Sequence, residues 1–249
     1  MKTYRYKTLQ DDLVQSRDQN YILPKDYRRV RTDALSKFSS ALVYGLALFL
    51  SAPLLKLIFG VSFHGRKKLK KARGGYFLYS NHTQPVGDVF LPALCAFPKR
   101  IYTVVSHANY GIPVIGRLLP YLGAIPVPRD LHDTEDFQTA LKLRAERGHP
   151  IVIFPEAHVW PYYTEIRPFP DTSFAFPVRL DLPVFTMTVT YQKRRFAGKP
   201  GIKIFVDGPF FPEGTTARQK RAFLCLKAKE AMEMRSRESN FDDLRYEKA

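Results

Sequence analysis

The chain has 249 residues, of which 45% are hydrophobic and 25% are charged, and this balance excludes a disordered or low-complexity protein. Its 39 lysines and arginines outnumber its 23 acidic residues, so the net charge is +16 and an anionic partner is expected. No helix-turn-helix, zinc-finger or RNA-reading aromatic motif is present, so we expect no nucleic-acid partner.

The first predicted element is an apolar segment that carries no charge from residue 41 to residue 55. As a helix over residues 38–59, with Lys56 near one end, it is long enough for a hydrocarbon core of about 30 Å. Three interpretations stay open: a buried core helix, a helix embedded in or lying on one leaflet, and a true span.

A run of six lysines and arginines, residues 66–73, follows this segment directly. Such a run is either a solvated helix face or a surface for anionic lipid, and its position favours contact with an anionic lipid surface.

The two cysteines, Cys95 and Cys225, lie in apolar stretches and are expected to be reduced, which favours a reducing compartment. We therefore predict that residues 1–65 anchor the protein to membrane lipids at the cytoplasmic face.

The remainder of the chain alternates short apolar runs with amphipathic stretches. Strands are predicted at 76–79, 101–105, 151–154, 184–191 and 202–206, and helices at 88–97, 112–122, 134–147 and 216–237. Asp133 or Thr134 is the predicted N-cap of the third helix. This alternation predicts an α/β fold over residues 66–249, with a mixed, mostly parallel sheet flanked by helices.

A histidine and an aspartate follow the first strand of this domain, where parallel sheets form their binding sites. His82 and Asp88 are separated by five residues, and Pro85 and Gly87 make a regular helix between them improbable. A loop that returns Asp88 to the imidazole builds the base and the orienting carboxylate of a hydrolase triad. No Gly-x-Ser-x-Gly motif accompanies the pair, so the nucleophile is expected to be a hydroxyl of the substrate; a purely structural pair is the alternative.

Two further segments place polar residues after apolar runs. One begins at Gly123 and ends at Arg129, and the other is Phe154-Pro155-Glu156-Ala157-His158. The aromatic and proline-rich residues 160–170 come next, and they either pack a loop or form an interfacial aromatic belt.

Taken in order, these segments resemble the motifs of a known family. Asn81-His82 with Asp88, Gly123 with Arg129, Phe154-Pro155-Glu156, and Leu182-Pro183-Val184-Phe185 are similar to the four motifs of the glycerolipid acyltransferase superfamily, which contains the 1-acylglycerol-3-phosphate acyltransferases. The resemblance covers roughly residues 74–206. It implies transfer of a fatty acyl group from an acyl thioester donor, acyl-coenzyme A or acyl carrier protein, to a lysolipid acceptor such as lysophosphatidic acid. No cofactor and no metal are implied.

The resemblance also implies roles for individual residues. His82 is the general base and Asp88 orients it. The substrate-binding residues are Asn81, Arg129, which contacts the acceptor's phosphate, and Glu156, which shapes the acceptor site. Pro183 and Val184 belong to the motif that lines the acyl side.

The chain departs from the family pattern at two places. The family has four residues between histidine and aspartate where this chain has five, so the loop must bulge for the pair to meet. The family continues Phe-Pro-Glu with Gly-Thr-Arg, where this chain has Ala157-His158-Val159, and we expect Arg167 and His158 to substitute in acceptor binding. Two alternatives are a catalytically silent lipid-binding membrane protein and a metal-dependent hydrolase with His82, Asp88, Glu156 and His158 as ligands.

Overall fold

A computed structural model describes residues 2–14, 18–24, 26–85, 87–195 and 198–249. Its strands are β1 (Lys2–Tyr6), β2 (Ser62–His64), β3 (Phe77–Ser80), β4 (Tyr102–Val105), β5 (Ala124–Pro126), β6 (Ile151–Ile153), β7 (Val184–Gln192), β8 (Gly201–Phe210) and β9 (Leu244–Lys248). Its α-helices are α1 (Ala34–Phe59), α2 (Lys67–Lys71), α3 (Leu91–Ala96), α4 (Ile115–Leu122), α5 (Leu131–Glu146), α6 (Ala175–Leu180) and α7 (Ala217–Ser236).

The main sheet has the strand order β2-β8-β7-β3-β6-β4-β5. Five neighbouring strands, from β7 to β5, run parallel, and β8 is antiparallel to β7. The carboxyl ends of β3, β6, β4 and β5 therefore lie along one edge, and the loops after them meet there. The predicted mixed, mostly parallel α/β sheet is confirmed.

Alternate residues of the central strands feed two cores, one on each face of the sheet. On β3, Phe77 and Tyr79 belong to the core covered by α5 and α7, and Leu78 belongs to the core covered by α1 and α3. This follows from the two-residue period of a strand, because successive side chains point to opposite faces. Burial on both faces explains why these strands read as continuous apolar runs.

Helix α1 begins at a side-chain cap and ends at a glycine. The Asp33 carboxylate accepts a hydrogen bond from the Ser36 backbone N–H at 2.7 Å, and Gly60 closes the helix with a left-handed φ of 57°. Among the described helices, only α1 is long and apolar enough to cross a membrane, and only 22% of its most apolar 18-residue window is buried. Of the three interpretations, a buried core helix does not fit, because the described residues leave most of the apolar side chains of α1 uncovered.

Both ends of α1 lie against the α/β domain. Near its start, the Ser40 hydroxyl donates to the Tyr121 carbonyl at 2.9 Å, and near its end Leu55 and Phe59 are buried in the core on that face. The exposed apolar side chains recur every three or four residues, so they form one stripe along the helix. They are Leu35, Phe38, Leu42, Leu46, Phe49, Leu50, Leu54 and Leu57.

The two ends of the chain meet in a small sheet of their own. Strands β1 and β9 pair in parallel, with Lys2 opposite Leu244 and Tyr6 opposite Lys248. Tyr246 stacks on Trp160 with ring centroids 5.2 Å apart, so this small sheet covers the loop that follows β6. The division of the chain at residue 65 remains a prediction, although residues ahead of it join elements at the far end of the chain.

The predicted strands agree with the structure to within one residue, except that β8 extends to Phe210. The N-cap predicted for α5 is wrong. The cap is Asp130, whose carboxylate accepts from the Asp133 backbone N–H at 2.9 Å, so the helix begins three residues earlier. Asp133 then lies in the first turn, where its carboxylate is available to other partners.

Candidate active site

The loop after β3 brings His82 and Asp88 into contact. His82 Nδ1 and Asp88 Oδ2 are 2.7 Å apart, despite the five residues between them. The His82 side chain is 20% exposed and the Asp88 side chain 6%, so the imidazole separates the buried carboxylate from the surface. The imidazole also stacks on Phe154, with ring centroids 4.3 Å apart. This is the arrangement of a base whose orientation is fixed by a carboxylate.

The backbone of this loop is tied to β7 by Asn81 and Thr83. The Asn81 side chain donates to the Val189 carbonyl at 3.0 Å and accepts from the Val189 N–H at 2.8 Å, and the Thr83 hydroxyl lies 2.8 Å from the Tyr191 hydroxyl. Asn81 is buried, so its amide is occupied in holding the loop. Its role in binding substrate remains a prediction.

Gly87, immediately before Asp88, lies close to the Gln84 side chain. A Cβ on Gly87 would meet Gln84 Cγ at 2.4 Å, so a larger residue there would force the buried Gln84 side chain to shift. The Gln84 backbone N–H donates to Asp88 Oδ2 at 3.0 Å, which closes the bulge. Val86, which lies between Pro85 and Gly87 in the chain, is outside the described residues.

Burial controls the electrostatics of Asp88. It raises the pKa of the carboxyl, and the hydrogen bonds from His82 and the backbone act in the opposite direction. A poorly solvated carboxylate gains more from a positive neighbour than a solvated one does. Asp88 is therefore placed to stabilise a protonated His82 imidazole.

The buried ion pair of Glu156 with Arg167 holds the backbone of His82. Glu156, which follows β6, accepts from the His82 backbone N–H at 3.0 Å, from the Arg167 backbone N–H at 3.0 Å and from Arg167 Nη2 at 3.1 Å. Burial raises the pKa of Glu156, and Arg167 together with these backbone donors opposes that shift. Glu156 is thus a positioning residue: its carboxylate holds the main chain that carries the imidazole.

The structure gives Arg167 a different contact from the predicted one. The residue is 1% exposed, and its guanidinium is engaged by Glu156 and by the carbonyls of Leu9 and His158. It also lies 5.0 Å from the centre of the Trp160 ring. In this arrangement Arg167 secures the loop and does not face an acceptor, because its hydrogen-bonding groups face inward.

The loop between β6 and α6 is packed rather than open. Trp160 is fully buried, and its indole N–H donates to the Asp11 carbonyl at 2.8 Å. The His158 side chain is 41% exposed, with Nδ1 3.7 Å from Asp12 Oδ2, and so it remains accessible for a role in acceptor binding. The buried part of this stretch favours the packing interpretation over an interfacial belt.

Arg129 lies at the same edge of the sheet, after β5. Its backbone N–H donates to Asp133 Oδ2 at 2.9 Å, Nε donates to the same oxygen at 3.3 Å, and Nη1 donates to the Leu23 carbonyl at 3.3 Å. Arg29 binds the same carboxylate through both Nη atoms, and these arginines hold the pKa of Asp133 well below its usual range. The Arg129 side chain is partly exposed, and Nη2 has no hydrogen-bond partner in the part of the chain that the structure describes.

The four side chains considered as metal ligands do not converge. Glu156 pairs with Arg167, His158 faces Asp12, and His82 pairs with Asp88. Over the described ranges, no group of three or more histidine, cysteine or acidic residues is placed to hold a metal ion. The geometry thus does not favour a metal-dependent hydrolase.

The sequence interpretation missed two parts of the site. The stacking of Phe154 on His82 was missed because the sequence shows only an aromatic residue at the end of a predicted strand. The contacts of residues 9 and 11 with Arg167 and Trp160 leave no local signal, because the partners are more than a hundred positions apart.

Two comparisons with known proteins bear on this site. Residues 60–190, which are 131 of the 249 residues, match the family described as Acyltransferase. The fold is similar to the crystal structure of the 1-acyl-sn-glycerophosphate (LPA) acyltransferase PlsC from Thermotoga maritima, with a TM-score of 0.56 and 17% identity, over 86% of each chain. No curated protein sequence matches the chain significantly.

Proposed function

The chain belongs to the acyltransferase family, and on that premise we propose that it transfers a fatty acyl group from a thioester to the hydroxyl of a lysophospholipid such as 1-acylglycerol-3-phosphate. The observation that carries the proposal is the contact of 2.7 Å between His82 Nδ1 and Asp88 Oδ2 at the carboxyl end of β3. The described residues place no serine or cysteine side chain in hydrogen-bond contact with His82. A base without a protein nucleophile suits a reaction in which the substrate supplies the attacking oxygen.

The mechanism follows from the tautomer that Asp88 selects. His82 Nδ1–H donates to the carboxylate, so Nε2 carries the lone pair that removes the proton from the acceptor hydroxyl. The oxygen attacks the thioester carbonyl, an ester bond forms, and the bond to sulfur breaks. The thiolate leaves readily, since its thiol has a pKa of about 8.5, and it takes the proton from the His82 imidazolium.

We assign binding of the acceptor's phosphate to Arg129, with the partly exposed His158 as a second hydrogen-bond donor to the acceptor. Two observations support this: Arg129 lies on the loop edge that carries His82 and Glu156, and it keeps Nη2 unengaged among the residues the structure describes. A guanidinium at that place orients a phosphate through charge-assisted hydrogen bonds. Orientation of the headgroup in turn places the hydroxyl next to His82.

Replacement of Arg129 by alanine is expected to raise the KM for lysophosphatidic acid by about tenfold, since a hydrogen bond to a charged group contributes about 1.5–3 kcal/mol. The KM for a neutral monoacylglycerol should change little. The assay incubates the purified protein with a labelled acyl donor and a panel of lysolipids, and identifies each product by mass. Arg218→Ala, on the exposed surface of α7, is the control.

Equal effects of Arg129→Ala on charged and neutral acceptors would remove the phosphate role while leaving the reaction in place. Absence of any acylated product over the whole panel, with both coenzyme A and carrier-protein donors, would contradict the proposed function. Such a result would favour a lipid-binding protein on the same fold.

Membrane association is assigned to the exposed stripe of α1, and we propose that the protein lies on the cytoplasmic face. Leu46→Glu is expected to weaken binding to phospholipid vesicles by about tenfold, because a charged residue is costly in the apolar layer. Leu226→Glu on α7 is the matched control, since Leu46 is 55% exposed and Leu226 53%. Flotation of both variants with vesicles measures the effect, and equal binding would show that α1 does not enter the bilayer.

A further inference from the structure

A cationic pocket lies at the other end of the parallel strands from His82. It has a volume of about 220 Å³ and is bordered by the first residues of β4 and β5, by His149 ahead of β6, and by the start of α1. The proposed acyl transfer makes no use of this pocket, because the loops that carry His82, Glu156 and Arg129 follow the opposite ends of the strands.

The charge of this pocket has one sign. Seven of its lining residues are lysines or arginines, and no lining residue is acidic. These seven are Arg28, Arg29, Arg31, Lys37, Arg100, Arg144 and Arg147. Only Arg29 among them forms an ion pair with a described acid, Asp133. The pocket therefore carries a positive potential that the described residues do not neutralise.

Arg144 is the residue that most clearly lacks a partner. It is 9% exposed, its Nε is buried without a hydrogen-bond acceptor, and its guanidinium lies 4.3 Å from the centre of the Tyr102 ring. The Nε of Arg100 is also buried without an acceptor, while its Nη2 donates to the Ser40 hydroxyl and to the Tyr121 carbonyl. Burial lowers the pKa of Arg144, and the neighbouring Arg147 and Arg100 lower it further. A buried charge is normally paired, so the missing partner is an anion.

The lining chemistry indicates which anion fits. Guanidinium groups bind the oxygens of phosphate in pairs, and four residues that carry hydroxyls, Ser36, Ser40, Tyr27 and Tyr121, line the same space. Ser36, Lys37 and Ser40 belong to α1, whose exposed stripe is apolar. The pocket is thus at the border between the membrane-associating helix and the basic part of the domain.

We propose that this pocket binds a phosphate group, and that the phosphate belongs to the headgroup of an anionic phospholipid in the membrane that α1 enters. The site would hold the domain against the bilayer at a defined place, independently of the acyl transfer at His82. Its occupant neutralises Arg144 and supplies an acceptor to the Nε atoms of Arg144 and Arg100.

The test compares Arg144→Gln with Arg73→Gln on vesicles of phosphatidylcholine with and without phosphatidylglycerol. Arg144→Gln should weaken binding to the anionic vesicles by about tenfold, because a charge-assisted contact is lost, and should leave binding to neutral vesicles unchanged. A general surface potential predicts the reverse order, since Arg73 is exposed in the basic run and Arg144 is buried. Arg147→Gln, exposed at the same pocket, repeats the test without a change to the core.

A second arm uses inorganic pyrophosphate and follows the melting temperature of the full chain in neutral detergent. Pyrophosphate could raise the melting temperature of the unsubstituted protein but not of Arg144→Gln, while both proteins bind vesicles equally. That result would support a phosphate site and overturn its assignment to a lipid headgroup. The proposal is wrong if two results are found together. Arg144→Gln and Arg147→Gln bind anionic vesicles as Arg73→Gln does, and pyrophosphate changes their melting temperatures as it changes that of the unsubstituted protein. Both readouts are independent of acyl transfer, so they do not depend on the fate of the proposed function.

Discussion

Replacement of His82 by alanine is expected to lower the rate of acyl transfer by about 10³-fold, because the acceptor hydroxyl loses the group that removes its proton. The fold should be retained, since the imidazole is partly exposed and its loop is held by the Asn81 side chain and by the contact of Glu156 with the backbone of residue 82. The measurement is turnover of a labelled acyl donor at saturating lysolipid, together with circular dichroism and vesicle binding.

The matched control is His64→Ala, which removes an exposed imidazole at the end of β2. It should leave turnover within about twofold of the unsubstituted protein, as expected for a surface change. Asp88→Asn supplies the second test, since an amide keeps the size of the side chain but can no longer stabilise an imidazolium. Retention of more than a few per cent of activity by His82→Ala would remove the imidazole from the mechanism.

Replacement of Glu156 by glutamine is expected to destabilise the fold by about 3–5 kcal/mol, because Arg167 then becomes a buried charge without a counter-ion. For a chain of this size the melting temperature should fall by roughly 10 °C. Activity should fall as well at temperatures where the protein is folded, since the carboxylate also holds the His82 backbone N–H at 3.0 Å. Thermal unfolding in detergent and turnover well below the transition measure the two effects separately.

Glu213→Gln, a change of the same kind on the exposed surface, should leave the melting temperature almost unchanged. The double variant Glu156→Gln with Arg167→Met should recover part of the lost stability, because the unpaired charge is gone. If Glu156→Gln melts within a degree or so of the unsubstituted protein, the ion pair does not support the loop. A double variant less stable than Glu156→Gln would indicate that Arg167 acts through other contacts.

The sequence predicts the parts of the fold that rest on regular patterns. The central strands are predicted to within a residue because their side chains are apolar on both faces, and α7 because its sequence is amphipathic. The approach of His82 to Asp88 is also predictable, because Pro85 and Gly87 exclude a helix that would turn the two side chains apart.

Other parts depend on partners that the sequence does not mark. Strand β5 has only three residues, one of them Pro126, and so it lacks the length of a recognisable apolar run. The pairing of Glu156 with Arg167 joins residues eleven positions apart through an irregular loop. We expected Arg167 to substitute for the arginine that the family has after Phe-Pro-Glu, but only the structure shows that its side chain is buried against its own loop.

The pairing of β1 with β9 also bears on the proposed association of α1 with the membrane. The segment ahead of α1 contacts Trp160, Arg167 and the last strand, and all of these follow α1 in the chain. A bitopic arrangement would separate these partners by the thickness of the bilayer. An α1 that enters the bilayer while these contacts hold therefore enters and leaves through the same leaflet.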